Sequence, residues 1–177
     1  MKTSLKLAAT LVNLLIKVER QSIDYLEVLA HKADSPQLKA QLLSFISGNR
    51  KKIKHLKQLP DQMNLAVEVG SIDGAKGIIS EGFQLIEKYP SSTYRDGTIL
   101  HTTILLSQHK LGKYRLLLRH CQLLRKEYEV YLIQASMAEE EAILTRLMKL
   151  LDANIRSSIP VFPLRARTSE PVLSTSL

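Results

Sequence analysis

Hydrophobic residues recur along this chain at alternating intervals of three and four positions, the spacing that lines one face of an α-helix. The first stripe consists of Leu5, Ala8, Val12, Leu15, Glu19, Ser22, Leu26, Leu29 and Ala33. A later stripe consists of Val130, Ile133, Met137, Glu140, Leu144, Leu147 and Leu151. Each stripe therefore places one carboxylate, Glu19 or Glu140, at a position that should face the core.

The same periodicity predicts four long helices, one short helix and no strands. Prolines and short polar stretches punctuate the pattern, among them Pro36, Pro60-Asp61 and the turn signal SSTYRDG. The long helices are predicted at about Thr3–Ala33, Pro36–Leu59, Thr98–Arg125 and Glu127–Ala153, and the short helix at about 73–90. This order predicts an all-α fold, a four-helix bundle with an extra short helix in the middle connection.

The last stretch of the chain differs from the rest in composition and periodicity. From Asn154 onward there are three prolines, five serines and no helical period. We therefore predict two parts, a helical bundle over residues 1–153 and a flexible or surface-draped tail over 154–177.

Composition narrows the class of protein only modestly. A length of 177 residues suits one domain with a real core, and the single cysteine, Cys121, excludes an internal disulfide. No stretch is long and apolar enough to predict a transmembrane helix, so we expect a cytoplasmic protein. The net charge of +8 favours acidic partners.

The two inward carboxylates are the main candidates for chemistry. Carboxylate-metal bundles take a Glu from each of two helices and a Glu-x-x-His pair from each of the other two. Glu19 and Glu140 are the candidate carboxylate donors here, with iron or manganese as the alternative cofactor. Our leading expectation is no cofactor, with each buried carboxylate paired to a cation such as Lys113, Arg115 or His109.

The chain resembles the YciE/YciF-type stress proteins of the ferritin-like superfamily over roughly residues 3–152. The stretches that carry this resemblance are DSPQLKAQL between the first two helices, Ser80-Glu81-Gly82, Arg95-Asp96, Ser107-Gln108-His109 followed by Tyr114, and Glu139, Glu140 and Glu141. The resemblance implies a ferritin-like bundle and a link to stress.

The chain departs from that family's pattern of donors. Where the family's second helix offers a histidine, this chain offers Phe45, Gly48 and Asn49, and Gln108 stands where the third helix offers a glutamate. Three residues after Glu140 stands Ile143 instead of histidine. Of the six donors that the resemblance implies, Glu19, His109 and Glu140 remain, and these three cannot build the usual two-metal site.

Two further features suggest binding surfaces. The second helix carries a basic run, which consists of Arg50, Lys51, Lys52, Lys54 and Lys57 and contains no aromatic residue. We interpret it as a basic surface for an acidic protein partner, with nucleic acid or an anionic membrane as less favoured alternatives. The tail holds a PxxP-like motif formed by Pro160, Pro163 and Arg165.

The sequence thus favours a non-catalytic bundle with a structural or protein-interaction role, most simply as a homodimer. A residual metal-binding or redox protein that uses Glu19, His109 and Glu140 is the first alternative. A binder of nucleic acid or of anionic membranes through the basic surface is the second.

Overall fold

The computed structural model describes residues 2–63 and 73–158, with side chains described over 5–59, 74–91 and 94–158. These residues form α-helices throughout, apart from the short turns that join them. The helices are α1 (Lys2–Lys32), α2 (Pro36–Met63), α3 (Asp73–Lys88), α4 (Ser92–Leu123) and α5 (Glu127–Ser158). Among these helices, none is both long and apolar enough to cross a membrane.

Two antiparallel hairpins, α1–α2 and α4–α5, pack side by side to form the bundle. α1 lies against α4, and α2 lies against α5. Since α2 and α4 run in the same direction, the chain must return along the bundle between them, and α3 lies in this connection. α3 packs mainly against α4 and runs antiparallel to it, with Gly74 near His109 and Gly82 near Thr102.

The core has two apolar clusters separated along the bundle axis. One surrounds Leu29, Leu42 and Ile99, and the other surrounds Leu15 and Tyr114. The predicted stripe of α1 is confirmed, because its residues from Ala8 to Leu29 are all buried. Between the two clusters lies a layer of polar side chains, which is the site described below.

Asp96, near the start of α4, holds the turn between α1 and α2. Its carboxylate accepts hydrogen bonds from the backbone N–H groups of Asp34 and Ser35, both at 2.9 Å. The Arg95 guanidinium donates to the Asp34 carboxylate at 2.9 and 3.1 Å and also to the carbonyl of Pro90. The Arg-Asp motif therefore serves a structural purpose, since it fixes two hairpins relative to each other.

The break between α4 and α5 is made without glycine or proline. Arg125 adopts a left-handed backbone conformation with a φ of 55°. The N–H of Lys126 bonds to the carbonyl of Cys121 and that of Arg125 to the carbonyl of Gln122, both at 3.0 Å. This pair of bonds is a Schellman motif, which usually has glycine at the left-handed position.

Several predicted boundaries were wrong by one or two turns. α2 continues past Pro60 to Met63, because the fixed φ of proline, about −65°, is close to that of an α-helix. α4 begins at Ser92 instead of Thr98, so the turn signal lies within its first turns. α5 continues to Ser158, beyond the predicted boundary at Ala153. The rest of the predicted tail, 159–177, lies outside the described residues.

Candidate functional site

Each of the four bundle helices contributes one charged side chain to a single buried layer. These are Glu19 from α1, Lys52 from α2, Lys110 from α4 and Glu140 from α5. Their relative exposures are 0%, 0%, 3% and 0%. Ionised side chains are rarely so fully buried unless they are paired, so the layer must balance its own charge.

The geometry of the layer supplies that balance. The Lys110 ammonium lies 3.3 Å from Glu19 Oε2 and 2.9 Å from a carboxylate oxygen of Glu140. The Lys52 ammonium lies 3.5 Å from Glu19 Oε1 and directly contacts Glu140 Oε2. Each ammonium thus bridges both carboxylates, and two positive charges offset two negative charges.

Neutral groups satisfy most of the remaining hydrogen-bonding capacity. The Tyr114 hydroxyl donates to Glu19 Oε1 at 3.0 Å, and the Ser107 hydroxyl donates to Glu140 Oε1. Lys110 also approaches Asn49 Oδ1 at 3.5 Å. Within the described residues Asn49 Nδ2 finds no partner, and it borders a cavity of about 10 Å³, close to the smallest space that holds one water molecule.

The layer shifts the acidity of its members in ways that follow from its geometry. Burial disfavours the charged form of Glu140, but the ammonium groups of Lys110 and Lys52 and the donated hydrogen bonds outweigh it and lower its pKa to about 2. Burial opposes ionisation of Lys110 too, yet the two carboxylates raise its pKa. For Lys52, burial and the charge of Lys110 lower the pKa, and they outweigh the carboxylates of Glu19 and Glu140, which raise it. Burial and the nearby carboxylates raise the pKa of Tyr114, which stays protonated.

The structure brings together two of the three predicted donors. Glu19 and Glu140 face each other across the layer through the lysines, but His109 does not join them. Its ring lies beside Gly74 of α3, because successive helical residues point about 100° apart and the adjacent Lys110 faces the core. Burial and the charge of Lys113 lower the pKa of His109. Cys121 lies outside the charged layer and is buried. Its burial raises the pKa of the thiol to about 11.

The predicted cationic partners were also the wrong ones. Arg115 pairs at the surface with Glu141, 3.5 Å away, and His109 faces α3. The partners of the two buried carboxylates are Lys52 and Lys110. Lys52 had been assigned to the basic surface, which was wrong because its side chain is fully buried. The sequence could have predicted the burial of Lys52. Within α2, Lys52 follows Phe45 and Asn49 and precedes Leu56 at intervals of four, three and four residues, the spacing of one helical face.

The residues of this layer do not fit a metal ion. Among the described residues, no group of three or more His, Cys, Asp or Glu side chains is arranged to hold one. A protonated ammonium has no lone pair to donate, so Lys52 and Lys110 cannot serve as ligands while charged. The two carboxylates are already bridged by these ammonium groups.

The rest of the basic run lies on the surface and is partly paired. Arg50 lies 3.5 Å from Glu27, and Lys51 lies 2.5 Å from Glu139. Lys54 and Lys57 are exposed. The PxxP-like residues Pro160, Pro163 and Arg165 lie outside the described residues.

Comparison with solved structures identifies the architecture. The E. coli stress protein YciF matches with a TM-score of 0.83 and 20% identity, over 88% of this chain and 99% of that one. YcfI from Rhodopseudomonas palustris, described provisionally as a structural protein, matches with a TM-score of 0.73 and 20% identity, over 78% of this chain and 90% of that one. These matches confirm the ferritin-like helical bundle predicted from the sequence.

A search among curated proteins finds no significant match. A family model described as a domain of unknown function, DUF892, matches residues 7–159. That range covers α1 from residue 7 onward and all of α2 to α5, including every residue of the buried charged layer. The chain therefore belongs to the DUF892 family, with the YciE/YciF-type ferritin-like fold that its sequence resembles.

Proposed function

We propose that this protein is a non-catalytic ferritin-like bundle with a structural or protein-interaction role linked to stress. The observation that carries this proposal is the closed charged layer. Glu19 and Glu140 are the carboxylates that chemistry would need, and both are fully buried and bridged by lysines. The cavity beside Glu140, about 10 Å³, has no room for a substrate. The similarity in fold to a protein named for stress supports the link to stress.

Metal content and oxidation activity test the non-catalytic role. The purified chain is exposed to iron, manganese or zinc, desalted and analysed for metal, and its oxygen consumption with Fe²⁺ is measured. We expect no stoichiometric metal and no oxygen consumption above that of buffer. Stoichiometric metal that is lost in Glu140→Gln would instead favour the residual redox protein.

We further propose that the protein acts as a homodimer. Large apolar side chains are exposed on either side of the α4–α5 turn, with Leu123 at 77% and Tyr131 at 67% relative exposure. Exposed apolar side chains that gather at one end of a protein often mark a site of association. At the opposite end, Tyr94 is equally exposed at 67% and provides a matched control.

Light scattering after size-exclusion chromatography tests this proposal. We expect the mass of a dimer for the unaltered chain and for Tyr94→Glu. Leu123→Glu combined with Tyr131→Glu should give the mass of a monomer, because two charges would be buried in the interface. A monomeric unaltered chain would contradict the proposal, and a dimer that survives the double change would place the interface elsewhere.

A further inference from the structure

In metal-binding ferritin-like proteins, carboxylates from four helices surround cations in the middle of the bundle. The described bundle has the same arrangement of four inward-facing helices and places two cationic groups between two carboxylates. Both cations are ammonium groups of the chain itself, Lys52 from α2 and Lys110 from α4. These are two of the four helices that would otherwise supply metal donors.

We propose that Lys52 and Lys110 take the place of metal ions, as cations permanently attached to the bundle. This inference rests on the non-catalytic role proposed above. It identifies the cations that lie between the two carboxylates in the middle of the bundle and explains why they are needed there. Its first support is the pattern of bridging. Each ammonium contacts Glu19 on one side and Glu140 on the other, as an ion held between two carboxylates would.

A second support is the absence of room for an added ion. The layer is already neutral, so a divalent cation would bring an uncompensated double charge into a site from which water is largely excluded. The neutral donors of the layer are also engaged. The hydroxyls of Tyr114 and Ser107 donate to the carboxylates, an arrangement that satisfies the same oxygens a metal would need.

A third support is the position of the layer. It separates the apolar cluster around Leu15 from the one around Leu42, midway along the bundle. Apolar side chains could fill the space between the two clusters, and so could a metal centre with its ligands. Carboxylates in this position require cations, and the two lysines provide them.

The test removes the lysine side chains and asks whether a metal ion replaces them. The opened variant carries Lys52→Ala and Lys110→Ala, which leaves the carboxylates of Glu19 and Glu140 and the amide oxygen of Asn49 around an emptied space. Mn²⁺ is the probe because it prefers oxygen donors. The matched control carries Lys52→Met and Lys110→Met, which removes the same charges but fills the space.

We expect Mn²⁺ to raise the melting temperature of the opened variant by roughly 5–10 °C at one hundred times its dissociation constant. The unaltered chain and the methionine control should show no such rise. Adding Glu19→Gln and Glu140→Gln to the opened variant should abolish the response. A folded opened variant that is unaffected by Mn²⁺ would overturn the proposal.

A second comparison applies if the opened variant does not fold. Glu140→Gln alone leaves one excess positive charge in the layer, whereas Glu140→Gln with Lys52→Met restores neutrality. We expect the double variant to melt at a higher temperature than the single variant. The opposite order would overturn the role of Lys52 as a counter-cation.

The outcomes for the two proposals remain distinct. Stoichiometric metal or iron oxidation in the unaltered chain would overturn the proposed non-catalytic function, whatever the variants do. An inert unaltered chain whose variants fail both comparisons would overturn only the replacement of metal by lysine.

Discussion

Replacing Lys52 by methionine tests whether the charged layer stabilises the fold as its geometry implies. The change keeps an unbranched apolar side chain of similar volume but removes the ammonium that bridges Glu19 and Glu140. Two buried carboxylates would then face one lysine. Breaking a buried ion pair by removing one partner costs about 3–5 kcal/mol, since the other charge is left uncompensated. For a chain of this size that cost lowers the melting temperature by about 6–20 °C.

The chain contains a matched control one residue away. Lys51 pairs with Glu139 as Lys52 pairs with Glu140, but the side chains of this outer pair are 59% and 30% exposed. Solvent screens such pairs, so Lys51→Met should change the melting temperature by less than about 4 °C. Thermal unfolding followed by circular dichroism at pH 7 measures both. Equal losses in the two variants would refute the view that burial makes the inner pair stronger.

The remaining predictions concern acid stability and three backbone positions. The pKa of Glu140 is lowered from 4.5 to about 2, so its stabilising contribution is present above pH 4.5 and lost as the pH falls toward 2. Glu140→Gln should therefore flatten the dependence of unfolding free energy on pH in that window, as measured by urea unfolding. Gly82→Ala should lower the free energy of unfolding by about 1–3 kcal/mol, because its methyl group would collide with Thr102. Gly77→Ala on the same helix is the control, since its methyl group meets no atom within 4 Å. It should raise the free energy of unfolding by roughly 0.5–1 kcal/mol in the same assay. Arg125→Gly should raise stability by about 1 kcal/mol because it relieves the left-handed strain at a φ of 55°, and a lower melting temperature would contradict this.

The sequence predicted the carboxylates of the layer but not the lysines, for a physical reason. Glu19 and Glu140 interrupt strongly apolar stripes and are therefore conspicuous. Lys52 stands within a basic run whose other members are solvated, so its charge gives no sign that it faces the core. Lys110 lies on α4, which is apolar around much of its circumference, so its inner face could not be distinguished by period alone.

The pairing itself is a property of the folded chain. Glu19 and Lys110 are 91 positions apart, and Lys52 and Glu140 are 88 apart. Nothing in local periodicity relates residues at such separations. The end of α4 shows the same limit, because Arg125 takes the conformation usually left to glycine and gives no signal in the sequence.

The charged layer also restricts how the helices can slide past one another. Leucine-rich stripes with a three-four period can pack almost as well after a shift of one turn, about 5.4 Å along the axis. The ion pairs cannot, because Lys110 reaches Glu140 at 2.9 Å and Glu19 at 3.3 Å only in the native alignment. A shifted helix would leave charges buried without partners in an apolar core. The layer thereby selects one alignment of the four helices among several that the leucines alone would allow.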